Sequence, residues 1–153
     1  MTPELTDALG MSAYWMALLL TALLVGMTVG LHYEVLQQLN QRMPHWKLSQ
    51  HPRVLVMMFC IIAVHILEIW LFALGIFLAV KVPGLGQLVG MEQLRFLDFV
   101  YASATTYSTL GYGDLVPGGA LRLVFGTEAL LGFLMITWSA SFAYLEMRRY
   151  WRS

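Results

Sequence analysis

The chain has 153 residues, 59% of them hydrophobic and 12% charged, against roughly 45–50% apolar and about 25% charged in an ordinary soluble domain. That balance argues against a soluble globular protein. Nine basic and nine acidic side chains cancel, which leaves no basic field to hold nucleic acid. The single cysteine, Cys60, has no partner for an intrachain disulfide or a paired thiolate site.

Three apolar stretches, Ala13 to Leu31, Val54 to Val80 and Leu121 to Leu145, approach or exceed the roughly 20 residues that carry a helix across about 30 Å of hydrocarbon. The first follows an acidic segment (Glu4, Asp7) without Lys or Arg, so it reads as a retained span and not as a secretory signal. Its Gly26 and Gly30 share one helical face, which either permits close approach to a neighbouring helix or is simply tolerated in lipid. The second span carries His65 and Glu68. Its seventeen Leu, Ile, Val and Phe residues each favour insertion by roughly 0.3–0.6 kcal/mol and together outweigh the roughly 2.5–3.5 kcal/mol of one central charge. Between these spans, Glu34 to Pro52 reads as a helical extension or interfacial helix broken near Pro44 and Pro52.

Arg42, Lys47, Arg53, Arg148, Arg149 and Arg152 fall on one side of the membrane, and only Lys81, Arg95 and Arg122 on the other. The positive-inside rule then predicts an integral multi-pass plasma membrane protein with its N-terminus outside and its C-terminus cytoplasmic. Trp15, Trp46, Tyr144, Tyr150 and Trp151 lie near span ends, where amphipathic rings settle at the headgroups, whereas Trp138 lies deeper.

Lys81 to Ala120 is too polar and Gly-rich to cross. Within it Leu94, Leu97, Val100 and Tyr101 recur at helical spacing and predict a short helix ending near Tyr107. About a dozen residues reach only roughly 20 Å, partway into the bilayer. Such a re-entrant helix returns through extended backbone, which survives at membrane depth only where it lines water or is buried in protein. Gly111 and Gly113, alternating with Leu110 and Tyr112, allow φ values that turn successive carbonyls the same way. The negative end of the short helix adds attraction for a cation.

Thr106-Tyr107-Ser108-Thr109-Leu110-Gly111-Tyr112-Gly113-Asp114, followed by Pro117, resembles the pore-loop signature of potassium channels, Thr-Val-Gly-Tyr-Gly followed by Asp. The resemblance covers Val54 to about Tyr150. It implies an all-α membrane protein: three transmembrane helices, with a re-entrant pore helix and selectivity-filter loop between the second and third, in a potassium-channel-like tetramer. Residues 1–53 then form an extra transmembrane helix with a cytoplasmic linker, and 54–153 the pore domain of outer helix, pore helix, filter and inner helix. K+ would be bound by the backbone carbonyls of Thr109, Leu110, Gly111 and Tyr112, with Gly113 closing the outer end, Asp114 at the outer mouth, and Leu110 and Tyr112 side chains packed behind. Thr105 and Thr106 would support the filter. Gly132 falls where the family's inner helix often has its hinge, although a lone Gly in a membrane helix also serves packing.

Three departures from the pattern stand out. Leu110 replaces Val, which leaves a nonselective or sodium-permeant cation channel as the alternative to a potassium channel. Ala102 stands where many members have a Trp that steadies the acid after the filter, so Asp114 needs another partner or stays hydrated. No span carries regularly spaced Arg or Lys, which excludes a voltage sensor, and no ligand-binding domain is expected after Ser153. Glu128, about two turns into the third span, either joins a cluster behind the filter with Thr105 or Tyr112, or is a protonated or paired carboxyl that holds helices together.

His65 and Glu68, three apart, form either a proton-sensitive pair or an interhelical hydrogen bond. His32, His45 and His51 read as solvated loop histidines, with a pH sensor as the other reading. Thr137, Ser139 and Ser141 either line an inner vestibule or bond their own backbone. No phosphate loop, zinc motif or nucleophile set appears, so the protein is not expected to be an enzyme and needs no cofactor beyond K+ in its filter. The expected function is passive K+ conduction by a homotetramer in contact with membrane lipid and with no nucleic acid. A regulatory subunit is possible, and a nonconducting assembly subunit packed through Gly26 and Gly30 is the reading from another class.

Overall fold

The computed structural model describes residues 3–151, with the side chains of residues 11–49 and 51–149. Arg152, one of the basic residues behind the expected orientation, lies outside the described residues, as do the side chains of Glu4, Asp7, Tyr150 and Trp151.

Four helices make the fold: α1 Pro3–Arg42, α2 Gln50–Ala79, the short α3 Phe96–Tyr107 and α4 Leu121–Trp151. Among the described residues, three helices are long and apolar enough to cross a membrane, lying within α1, α2 and α4. Each long helix buries one narrow stripe at helical spacing. On α1 it runs through Ala13, Ala17, Thr21, Leu24, Thr28, His32, Leu36 and Leu39, and on to Met43 just beyond its end; on α2 through Met57, Ile61, Val64, Glu68, Phe72 and Ile76; on α4 through Leu121, Val124, Glu128, Leu131, Met135, Ser139, Ala143 and Glu146. Steps of three and four are what a helix needs to press one side against neighbours. The remaining faces carry exposed apolar side chains such as Leu19, Phe59 and Leu130, as lipid-facing surfaces do.

The first helix runs further than the apolar stretch Ala13 to Leu31 implies, because Leu36, Leu39 and Met43 continue the buried stripe through the polar stretch. It gives way to a 3-10 turn, Met43–His45, at Pro44, which has no N–H to extend the ladder. Pro52 breaks nothing. It stands in the first turn of α2, where its missing donor has no intrahelical partner to lose. The turn between the two helices is closed by Arg53, whose Nη2 donates to the carbonyls of Trp46 at 2.8 Å and Leu48 at 3.1 Å.

Helix α3 starts one residue after Arg95, whose backbone N–H donates to the Asp98 carboxylate at 2.6 Å. Phe77 holds its first turn by edge-on contacts with Phe96 and Phe99, both at 5.4 Å between ring centres. The segment before α3 and the segment after the Gly-rich loop meet in a two-residue antiparallel ribbon, β1 Leu88–Val89 with β2 Val116–Pro117, in register Leu88 to Pro117 and Val89 to Val116. Gly118 N donates to Gln87 O at 2.8 Å and Leu121 N to Leu85 O at 3.1 Å.

Apolar packing falls into two bodies. One gathers Leu24, Phe72, Ile76, Phe99, Leu121 and Val124 around α3; the other gathers Leu36, Leu39, Met43, Met57, Ile61 and Ala143 at the turn between α1 and α2. His32, Glu68 and Ser139 occupy the buried positions between them.

Candidate filter and the polar layer beneath it

The loop that leaves α3 has a regular backbone alternation. Thr109, Gly111 and Gly113 have φ of 59°, 51° and 79°, whereas Leu110 and Tyr112 are not in the positive region. In ordinary extended chain successive carbonyls alternate in direction; reversing φ at every second residue turns every second peptide plane and brings the oxygens toward one side. Glycine adopts such a φ without cost, and Thr109 does so only under restraint. The restraint is the end of α3. Thr109 N donates to Thr106 O at 2.9 Å, while Leu110 N and Gly111 N share Thr105 O at 2.9 and 3.0 Å. Thr105 and Thr106 therefore support the loop through their carbonyls; the Thr105 hydroxyl turns back to Ala102 O at 3.0 Å.

Beyond the adjoining residues, no atom of the described residues lies within 4 Å of a Cβ built on Gly111 or Gly113, so conformation and not space calls for glycine there. The Leu110 and Tyr112 side chains, expected behind the loop, are 57% and 67% exposed. Tyr112 does stack on Tyr101, with ring centres 6.4 Å apart and planes 5° from parallel. Asp114 has found its partner one residue before the expected place: the Tyr101 hydroxyl donates to Asp114 Oδ2 at 2.7 Å. This bond, ahead of any burial, raises the Tyr101 phenol above its ordinary range.

Glu128 does not join Thr105 or Tyr112. It is fully buried against Ser103 of α3, whose hydroxyl also lies 2.8 Å from Ile69 O. Ser103 Oγ thus faces both Ile69 O and Glu128 Oε1 and braces α4, α3 and α2, while Glu128 Oε2 has no hydrogen-bond partner among the described residues. Gly132 is also a packing position: a Cβ there would stand 2.0 Å from Tyr107 O. Gly26 and Gly30 have nothing within 4 Å, and the close approach between α1 and α2 is instead Leu24 against Gly75.

Residues 53–145, more than half of the chain, match the ion channel family. The chain belongs to that family. No curated protein and no solved structure matches it. The membership covers the outer helix, pore helix, loop and inner helix, and it assigns the channel to a class that moves ions passively and performs no enzymatic step.

Below the pore helix the channel holds a polar layer that its sequence only half announces. His65 Nδ1 lies 3.2 Å from Glu68 Oε2, which makes the expected pair, and 2.9 Å from the Tyr107 hydroxyl, which itself bonds Glu68. The third partner is His32. It is not a solvated loop residue but fully buried, with Nδ1 2.8 Å from Glu68 Oε1 and its ring against Trp138 at 5.2 Å. Ser139 completes the layer; its Oγ lies 3.1 Å from His65 Nε2 and 3.2 Å from His32 Nε2. Ser139 thus bonds across helices, while Thr137 and Ser141 are exposed and bond carbonyls of their own helix, Phe133 O at 3.0 Å and Thr137 O at 2.9 Å. His45 and His51 remain outside the layer and are not buried. His32 was legible in principle, since it falls four residues after Thr28 on the buried stripe of α1. The channel's Tyr107, last residue of α3, thereby links α1, α2 and α4 to the start of the loop.

Proposed function

We propose that the protein is a potassium channel subunit that conducts K+ passively through a ring of carbonyls from Thr109, Leu110, Gly111 and Tyr112, with Gly113 and Asp114 at the outer mouth. The observation that carries this reading is the alternating sign of φ from Thr109 to Gly113, placed at the negative end of α3. Carbonyl oxygens directed to one side replace the hydration shell of a dehydrated cation.

One loop supplies a quarter of such a ring, so the working form is a homotetramer around the filter axis. The uncovered Leu110 and Tyr112 side chains support this, since the neighbouring copy is what would pack behind them. The excess of Lys and Arg on the α1–α2 connection and beyond α4 favours a cytoplasmic C-terminus and an N-terminus outside, in a plasma membrane. Residues 1–53 add a helix at the flank of the pore domain, 54–153. Leu110 at the usual Val position favours a second reading within the same class, a nonselective or sodium-permeant channel.

The deciding experiment is the reversal potential of the purified tetramer in planar bilayers, K+ on one side and Na+ on the other. A value near the K+ equilibrium potential is the expected result. Robust current reversing near zero discards selectivity and keeps the channel. No current from intact tetramers overturns conduction by this chain alone.

A further inference from the structure

The polar layer brings three metal-binding side chains to one point. Donor atoms of His32, His65 and Glu68 all lie within 4.8 Å of one another. We propose that they form a site for a divalent transition metal of the zinc class, with three protein ligands and a water in the fourth position, which ties α1 to the pore domain.

Geometry is the first argument. In a tetrahedral site with metal–ligand distances of about 2.0–2.1 Å, neighbouring donors stand roughly 3.4 Å apart. His32 Nδ1 is 2.8 Å from Glu68 Oε1 and His65 Nδ1 is 3.2 Å from Glu68 Oε2, and one ligand atom from each of the three residues lies within 4.8 Å of the others. To admit an ion the two carboxylate contacts open slightly and the widest donor separation closes.

The second argument is which nitrogens face where. Both rings turn Nδ1 toward Glu68 and Nε2 toward one hydroxyl, Ser139 Oγ, at 3.2 and 3.1 Å. Metal-ligating histidines hold their other ring nitrogen on an outer partner, which fixes the tautomer. With a metal on both Nδ1 atoms, each neutral ring carries its proton on Nε2, and the two lone pairs of Ser139 accept both. One serine then serves two ligands. His32 is further fixed between His65 at 5.3 Å and Trp138 at 5.2 Å.

The donor set selects the metal. Two imidazoles and a carboxylate suit Zn2+ and its neighbours Co2+, Ni2+ and Cu2+, whereas Ca2+ and Mg2+ take six or more oxygens. His32 and Glu68 are fully buried and the His65 side chain is 17% exposed, so an ion enters past His65. The donors lie below α3 and apart from the loop carbonyls, and metal binding is therefore read without current.

The test uses the full-length chain without an affinity tag, in detergent, stripped by a chelator and titrated with Co2+ and then Zn2+. One Co2+ per chain is expected, with the absorption of a four-coordinate ion that Zn2+ bleaches. His32→Gln and Glu68→Gln should each weaken binding at least tenfold, and Ser139→Ala, which keeps every ligand, about 10–100-fold. His45→Gln and His51→Gln should bind as the parent does. Should His32→Gln or Glu68→Gln fail to assemble, X-ray absorption on the Zn2+-loaded parent decides: two imidazoles on the metal support the site, and an all-oxygen shell overturns it. Less than one metal per chain, or binding that disappears with His45 or His51, also overturns it.

Discussion

Gly132 of α4 lies directly against the last carbonyl of the pore helix, and a methyl group there would come within 2.0 Å of Tyr107 O. The inner helix thus meets the pore helix through backbone at the point where the Gly-rich loop begins.

Gly132→Ala should force those elements apart. Overpacking costs about 1–3 kcal/mol, read as a lower midpoint in thermal or denaturant unfolding of the detergent-solubilised protein. Equal stability would show that α4 yields at this level, and would restore the hinge reading of Gly132.

Gly111→Ala acts through conformation alone, since φ at this position is 51° and nothing crowds the added carbon. An L-residue there turns the peptide plane away from the alternation. We expect chains that still assemble, with the K+ to Na+ permeability ratio reduced or lost. Unchanged selectivity would remove Gly111 from the filter.

For Glu128 the hydrogen-bond count favours a structural role. Glu128→Gln keeps a donor for Ser103 and should leave open-state lifetimes and stability close to the parent. Glu128→Ala opens a cavity and removes one of the two partners of Ser103, a loss of about 2–4 kcal/mol. A marked change of open lifetime in Glu128→Gln, with unfolding unaltered, would assign the carboxyl to gating.

Tyr101 should titrate above an ordinary phenol, because its proton is held by the Asp114 carboxylate. The bond contributes below the ordinary phenol range and is lost as pH rises through the raised value. Ultraviolet titration, with Tyr101→Phe subtracted, should show that step returning to the usual range in Asp114→Asn. Coincident curves would mean that the bond is absent in solution.

Spans and family were legible for different reasons. Long apolar stretches in α2 and α4 admit only one kind of element in a bilayer, and Thr109 to Asp114 is a motif whose spacing is itself the chemistry. The polar layer was less open to reading. His65 and Glu68 are three apart and announce themselves, whereas His32 and Ser139 reach them from helices far away in sequence, and only the phase of each buried stripe shows that they face inward. The continuation of α1 to Arg42 was one of two readings of Glu34 to Pro52, an interfacial helix being the other, because this half buries single apolar residues at wide spacing. Tyr101 took the role expected of a Trp at position 102 because its ring stacks on Tyr112 and leaves its hydroxyl over Asp114.

The loop from Lys81 to Leu94 grips the segment beyond the filter almost wholly through main-chain atoms: the β1–β2 pair and the bonds from Gly118 to Gln87 and from Leu121 to Leu85. Gly86 and Gly90 are the fixed points, since a Cβ on either would strike Gly118 O or Asp114 O. Apart from Leu85 and Leu88, whose side chains are buried in the core around α3, a clasp of this kind places little demand on side-chain identity. Val89, Met91 and Glu92, all exposed, are accordingly positions where labels, charges or epitopes can be exchanged without redrawing the shape of the mouth.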